Sequence, residues 1–446
     1  MSSSLLARKN LVIIFAYAPA GLGHLRVTDA LYHGLPAGIT PVLLGAQDKA
    51  ISWQHRLLSI NPILRALFQW GQIGFRAVVF AYLYKQFFHM NTTLLYQQTT
   101  TVLDERIDVP SEILIVATHF GLAQEFAWIK KRLEKEKEVK VHLVVQVTDD
   151  SPQPFWYVEG VDMSFVPSQR TKKELSSFGK RFHLLPLDFQ VIPYPITPAL
   201  CESLSSYQHQ ERLRQLSSES RAEVHVSIPI SGAAVGTMYT KNLIDALHSS
   251  SPRFFFHIVV KEAAYTKDFI ADVAPKPYVR LLVSTHDRGT VNNYEKLFES
   301  HILSLEITKP SEQTFKALLR PSQKGGVILL FSNPVGVQEY DNIDFLRRNH
   351  LFPTKTQQLY LFEKAEKNQP LLSENEKELL HHARMWRALM LPSDPKIAAS
   401  FICWCHEQGI FEQMGKFHDP TKESEELGSN GVAQFWQKVE NFLDKS

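Results

Sequence analysis

Cysteine is scarce in this chain. Cys201, Cys403 and Cys405 are the only three in 446 residues, which excludes a disulfide framework. Cys403 and Cys405 stand beside His406, but no second ligand pair at a metal spacing accompanies them, and residues two apart on a helix face different ways. They read as structural thiols, and no metal site is expected. An excess of one charge is missing as well: 48 basic residues oppose 46 acidic ones for a net charge of +2. That balance excludes a broad polyanion-binding surface as the main theme, and nucleic acid is not an expected partner. No apolar run reaches the length of a membrane span.

The most uneven absence is that of carboxylates. From Lys49 to Leu103 there is no Asp or Glu, while Arg56, Arg65, Arg76 and Lys85 are present with Trp53, Phe68, Trp70, Phe75, Phe80, Tyr82, Tyr84, Phe87 and Phe88. Apolar, aromatic helices with sparse cations can lie in a bilayer interface and are attracted by anionic lipid. A helical pair buried on a sheet needs no carboxylates either. Both readings stay open on composition.

What is present points to two α/β series. Leu11 to Ala18 is a continuous apolar run, rich in β-branched and aromatic residues, of the length of a buried parallel strand. Pro19, Gly21 and Gly23 break it, and from His24 onward Val27, Ala30 and Leu31 recur at helical spacing. A strand feeding a glycine turn and a helix presents outward backbone N–H groups that can cradle an anion or a polar substrate. His24 stands at the positive end of that helix, which disfavours imidazolium and makes it a candidate general base. The alternative is a turn that only closes a βα unit. Because Arg26 stands in the place of a third glycine, the G-L-G-H word is not the dinucleotide fingerprint. Arg8, Lys9, the apolar run and Ala18-Pro19-Ala20 imitate a secretory signal, but its removal would strip the following helix of its partner strand. A cytoplasmic protein is expected, with peripheral attachment to the inner membrane face if the acid-free stretch meets lipid.

Further strands are expected at Pro41–Gly45, Glu112–Thr118 (ending at His119), Val141–Val147, Val161–Val166 and Phe182–Leu185, with helices from Phe120 to Glu138 and from Ser168. The segment Thr148-Asp149-Asp150-Ser151-Pro152 puts polar groups at a strand's carboxyl end, where open α/β sheets hold their sites. Asp149 and Asp150 read either as turn formers or as an acid/base or metal pair. Pro186 to Pro198, with four prolines and no periodicity, reads as a linker. A second series follows: strand Val224–Ile230, the small-residue turn Ser231-Gly232-Ala233-Ala234, a helix, then strands Phe254–Val260, Val279–Val283, Ile302–Ile307 and Gly326–Phe331. From Thr354 the tail is helical, broken at Gly428–Gly431 before a last amphipathic helix. The expected division is an N-terminal domain over 1–190 with a helical insertion at 49–103, a linker and connecting helix over 191–220, a second α/β domain over 221–353 and a helical extension over 354–446.

Two Rossmann-like α/β domains with a cleft between them, a proline linker and a C-terminal helical tail resemble the GT-B architecture. The local words resemble glycosyltransferase family 28, typified by the bacterial peptidoglycan N-acetylglucosaminyltransferase and by monogalactosyldiacylglycerol synthase, the latter being the closer likeness. Gly21-Leu22-Gly23-His24 is similar to that family's glycine turn, and the resemblance implies that His24 activates the acceptor. Thr148-Asp149 with Trp156, then Val166-Pro167-Ser168, resembles the family's strand end and helix start, so the acceptor side would gather Gly21, Gly23, His119 and Asp149. On the donor side the resemblance implies Ser231 and Gly232 at the diphosphate, Thr308, Lys309, Ser311 and Thr314 in one donor word, and Gln338, Glu339 and Asn342 in another. The acid-free stretch falls where lipid-using members carry membrane-facing helices. One departure is marked: the acid that would grip the donor ribose falls on Ala317, which leaves Glu312 to replace it from another position, a different mode of holding the nucleotide, or a loss of donor binding.

The function so implied is inverting transfer of a sugar from a nucleotide-sugar donor to a lipid or glycan hydroxyl, with no metal and no cofactor, the nucleotide sugar being a co-substrate. Two other classes stand beside it. A nucleotide-sugar 2-epimerase shares the architecture but needs several carboxylates in the cleft, and a non-catalytic GT-B-like binding protein would account for Ala317.

Overall fold

The computed structural model describes residues 4–17, 22–45, 76, 79, 92–106, 110–230, 232–332, 334, 336–417 and 424–445. Most of the acid-free stretch, together with Gly21 and Ser231, lies outside the described residues. Within that stretch a helix at Thr92–Asp104 is described. The chain divides into two compact units, Met1–Pro198 with Glu425–Ser446, and Ala199–Ser424.

The first unit is built on a six-stranded parallel sheet in the order β2-β1-β3-β4-β5-β6, with β1 Leu11–Tyr17, β2 Val42–Gly45, β3 Glu112–Ala117, β4 Lys140–Gln146, β5 Met163–Val166 and β6 Phe189–Val191. Residues 11–16 of β1 are all buried, as are Ile113 to Ala117 of β3, because helices cover both faces of a parallel sheet. Chain order runs outward from β1 to β2 on one side and through β3 to β6 on the other, so the topological switch point falls between β1 and β3.

Two expectations for this unit differ from the structure. Phe182–Leu185 is not a strand; it closes the helix Gln169–Arg181, with Phe182 N donating to Phe178 O, Leu184 N to Gly179 O and His183 in the left-handed region at φ 54°. The sixth strand lies instead inside the proline-rich segment, where β6 occupies a sheet edge that tolerates neighbouring prolines.

The second unit repeats the design with a sheet ordered β12-β11-β10-β7-β8-β9. Its strands are β7 Val224–Pro229, β8 Phe254–Lys261, β9 Val279–Ser284, β10 Leu305–Thr308, β11 Ile328–Phe331 and β12 Ala388–Met390. The switch point falls between β7 and β10, which pair in parallel through Leu305 and Val226. The three-residue β12 sits in the stretch expected to be helical throughout and adds an edge to β11. The final helix, Gly431–Leu443, belongs to the first unit, where Trp436 Nε1 donates to the Leu31 carbonyl at 2.9 Å. Among the described residues no helix is long and apolar enough to cross a membrane.

Candidate functional site

In the first unit Gly23, His24 and His119 stand at the switch point, and Asp149 follows the neighbouring strand β4. The helix after β1 spans Leu22–His33, so His24 occupies its first turn, and β3 ends immediately before Thr118 and His119. His24 Nδ1 donates to the Thr118 carbonyl oxygen at 2.7 Å. A carbonyl can only accept, so Nδ1 carries the hydrogen and the neutral ring presents Nε2 as its proton acceptor. The Thr148 hydroxyl, at the end of β4, lies 3.3 Å from the same Nδ1. Thr28 Oγ1 donates to the His24 carbonyl at 2.8 Å and contacts Thr118 Oγ1 at 2.8 Å. Thr118 and Thr148 thereby hold the imidazole at the sheet's carboxyl edge, while Thr28 braces the His24 main chain against Thr118.

His119 is buried, and its ring meets His24 edge-on with centroids 4.9 Å apart. It stacks on Phe120 at 4.6 Å, which in turn contacts Phe155 at 4.2 Å. Asp149 is half-buried and its Oδ1 accepts from the Ser151 amide at 3.1 Å. Asp150 is fully buried and accepts from the hydroxyls of Ser168 and, at 2.8 Å, Thr171. Asp150 therefore anchors the start of the helix Gln169–Arg181. Gly23 lies in the first turn of the His24 helix.

In the second unit the donor-side words collect at the second switch point. Gly232 follows β7, and its carbonyl accepts from Tyr265 OH at 2.8 Å. Ala234 at φ 51° and Gly236 at φ 86° turn the chain into the helix Thr237–Ser250, whose first-turn N–H groups lack helical partners. Thr308 ends β10, Lys309 is half-buried, and Ser311 precedes a 3-10 helix over Glu312–Leu318. Asn342 is buried and donates to the Pro310 carbonyl at 3.2 Å, joining the two donor words. Gln338 and Glu339 fall in the first turn of the helix Val337–Arg348.

Thr314 is fully buried and its hydroxyl has no hydrogen-bond partner among the described residues. Ala317 is buried within the same 3-10 helix, and Glu312 is half-exposed at its start. Sequence reasoning missed the support beneath this helix, formed by Glu306, Tyr294 and Lys316, because the three come from separate segments that only the fold brings together. It also missed Thr28, in the middle of its helix, and Thr118, just past the end of β3.

Cys405 is buried and its thiol is pushed well above the usual range by burial. Burial likewise pushes Cys403 up to about 11, so neither is a ready thiolate. Among the described residues, no three His, Cys, Asp or Glu side chains are arranged to hold a metal ion.

Two Rossmann-like units, with the chain's last helix returned to the first, constitute the GT-B fold class expected from the sequence. No protein-family model and no curated protein matches the chain. Solved structures similar to it include S. aureus MnaA with UDP, at a TM-score of 0.47 and 9% identity over 98% of this chain and 97% of that one. MurG from Acinetobacter baumannii is similar at a TM-score of 0.45 and 10% identity, covering 98% and 100%. A UDP-GlcNAc 2-epimerase from Neisseria meningitidis bound to UDP-GlcNAc is similar at 0.43 and 12%, covering 96% and 99%.

Proposed function

We propose that this protein is a glycosyltransferase that moves a sugar from a nucleotide-sugar donor to an acceptor hydroxyl with inversion. One observation carries the reading. In each unit, residues from the two strands flanking the topological switch point converge at the carboxyl edge: His24 with Thr118 in the first, Gly232 and Thr308 to Ser311 in the second. That is where open α/β sheets bind their ligands.

In this mechanism the acceptor oxygen attacks the anomeric carbon as the bond from that carbon to the phosphate oxygen breaks. The acceptor proton passes to His24 Nε2, for which the Nδ1 hydrogen bond to Thr118 selects the required tautomer. The departing nucleoside diphosphate gathers negative charge, which the amide groups opening the helix Thr237–Ser250, with Lys309, stabilise. No step calls for a metal ion. With alanine at 317, the ribose is gripped by Glu312 from the start of the 3-10 helix or by backbone groups. The acceptor is a lipid or a glycan; the acid-free stretch favours a lipid and predicts pull-down by vesicles of anionic lipid at low salt.

A thermal-shift screen of the full chain against nucleoside diphosphates and their sugar conjugates tests the reading, since a ligand of the folded state raises the melting temperature. A selective shift names the base and supports transfer. No shift at concentrations well above millimolar affinity overturns it in favour of a non-catalytic binding protein, and conversion of the bound sugar without any acceptor would move it to an epimerase.

A further inference from the structure

Beneath the donor-side 3-10 helix lies a charged pair sealed from water. Glu306, the second residue of β10, has no exposure, and Lys316, the fifth residue of the helix Glu312–Leu318, has a side chain only 5% exposed. Glu306 Oε2 accepts from Lys316 Nζ at 2.7 Å, from Tyr294 OH at 2.8 Å and from Ser227 Oγ at 3.0 Å. Lys316 Nζ also donates to Tyr294 OH and sits 4.4 Å from the Phe298 ring centroid. Tyr294 OH lies 3.2 Å from Gln313 Oε1. The network thus joins β7, β10, the helix Asp287–Ser300 and the 3-10 helix at one carboxylate oxygen.

The other oxygen, Oε1, is buried without a hydrogen-bond partner among the described residues. A network that leaves a charged acceptor half-satisfied is a poor device for stability alone, because desolvation of both ions offsets their attraction and an apolar pair of similar volume does as well or better. What an ion pair supplies and an apolar pair does not is a single register: Nζ reaches Oε2 only from one placement of the short helix. Six consecutive residues of that helix, Gln313 to Leu318, are buried, whereas Ser311 and Glu312 at its start reach solvent. Fixing the buried end therefore fixes where the exposed end stands.

We infer that Glu306 and Lys316 are positioning residues that hold the 3-10 helix Glu312–Leu318 in the one placement where Ser311 and Glu312 meet a nucleoside diphosphate. The inference rests on the donor site proposed above and assigns that site's geometry to residues that do not touch the ligand. Tyr294 belongs to the same device, since its hydroxyl accepts from the lysine and donates to the carboxylate.

The test uses the full chain carrying Glu306→Gln together with Lys316→Met, which removes both charges while keeping volume and the acceptor for Tyr294 and Ser227. Three quantities are read: the urea midpoint, amide exchange over 312–318 against exchange over β7, and the Kd for the nucleoside diphosphate selected by thermal shift. Expected are a midpoint close to the parent, exchange over 312–318 faster by about tenfold or more with β7 unchanged, and a Kd weaker by about tenfold. Tyr294→Phe, which keeps both charges, gives smaller changes of the same sign and serves if the double variant does not fold. Unchanged exchange over 312–318, or unchanged Kd in a variant whose helix has loosened, overturns the assignment while the parent's binding leaves the donor site intact. A parent protein that binds no nucleoside diphosphate overturns the donor site itself, and the positioning role with it.

Discussion

His24 gives its Nδ1 hydrogen to the Thr118 carbonyl across the switch point of the first sheet, at 2.7 Å. A main-chain carbonyl can only accept, so the neutral ring keeps its hydrogen on Nδ1 and its basic nitrogen is Nε2. His24→Ala is expected to lower transfer by about 10²- to 10⁴-fold, the usual worth of a general base, while nucleotide-induced thermal shifts persist. Thr148→Val removes only the 3.3 Å neighbour of Nδ1 and is expected to cost less. Initial rates with saturating donor check both, and full activity in His24→Ala would remove the base assignment.

Arg212 is buried, and its guanidinium is spent on main-chain oxygens. Nε donates to Leu303 at 2.7 Å, Nη1 to Pro321 and Gln323 at 2.6 Å each, and Nη2 to Lys324 at 2.7 Å. Burial pushes the group down to about 9, still charged at neutral pH. Arg387, equally buried, holds Leu319, Gly326 and Val327 from the other end of the same connection. Arg212→Ala strands the carbonyls of Leu303, Pro321 and Lys324, leaves that of Gln323 only the Gly326 amide, and is expected to destabilise the second unit by about 3–5 kcal/mol. Arg212→Lys recovers little, because an ammonium lacks the planar fork. Urea unfolding of the two variants is the check.

At Gly431 a side chain has no room. A Cβ there would lie 2.1 Å from the Pro193 carbonyl oxygen and 2.8 Å from that of Tyr194. Because both atoms are backbone, Gly431→Ala must displace the helix Gly431–Leu443, at a cost of about 1–3 kcal/mol. Loss of the Trp436 to Leu31 hydrogen bond should appear as a red shift of tryptophan emission and faster exchange in that helix.

Three histidines make the second unit acid-sensitive. His225 Nδ1 and His257 Nε2 are 3.0 Å apart, His301 packs on His257 with ring centroids at 4.7 Å, and Arg280 donates to His301 at 2.7 Å. Burial, then the neighbouring His225, His301 and Arg280, pushes His257 down to about 3; burial also lowers His225 and His301, with Glu223 and Glu211 opposing it at His225. The unfolded chain, with an ordinary histidine near 6.5, binds more protons, so this stability is present above about pH 6.5 and drains away toward pH 3. His257 alone is expected to account for about 2 kcal/mol lost between pH 6.5 and 5. Urea midpoints over that range should fall in the parent and fall less in His257→Phe.

Much of this architecture can be read without a structure. The run Leu11–Tyr17 is apolar at every other position on both faces, which only a doubly covered parallel strand requires, and the repeat of strand, small-residue turn and helix after Val224 declares a second unit. Elements of three residues escaped: β6 and β12 are too short for a period and owe their pairing to neighbours already in place. Phe182–Leu185 reads as a strand from its apolar residues, but Phe182 packs back on Phe178 at the end of the helix and Leu185 is exposed.

The sequence by itself determined which chemistry-bearing residues exist and which strand or helix each follows, since local periodicity and turn residues are properties of contiguous chain. Only the tertiary structure decided that β3 lies beside β1 and β10 beside β7, which sets Thr118 against His24 and puts the Thr308 word at the second switch point. It also decided that Lys316 turns inward to Glu306. Strand order and burial are settled by packing between distant segments, and no local pattern of residues encodes them.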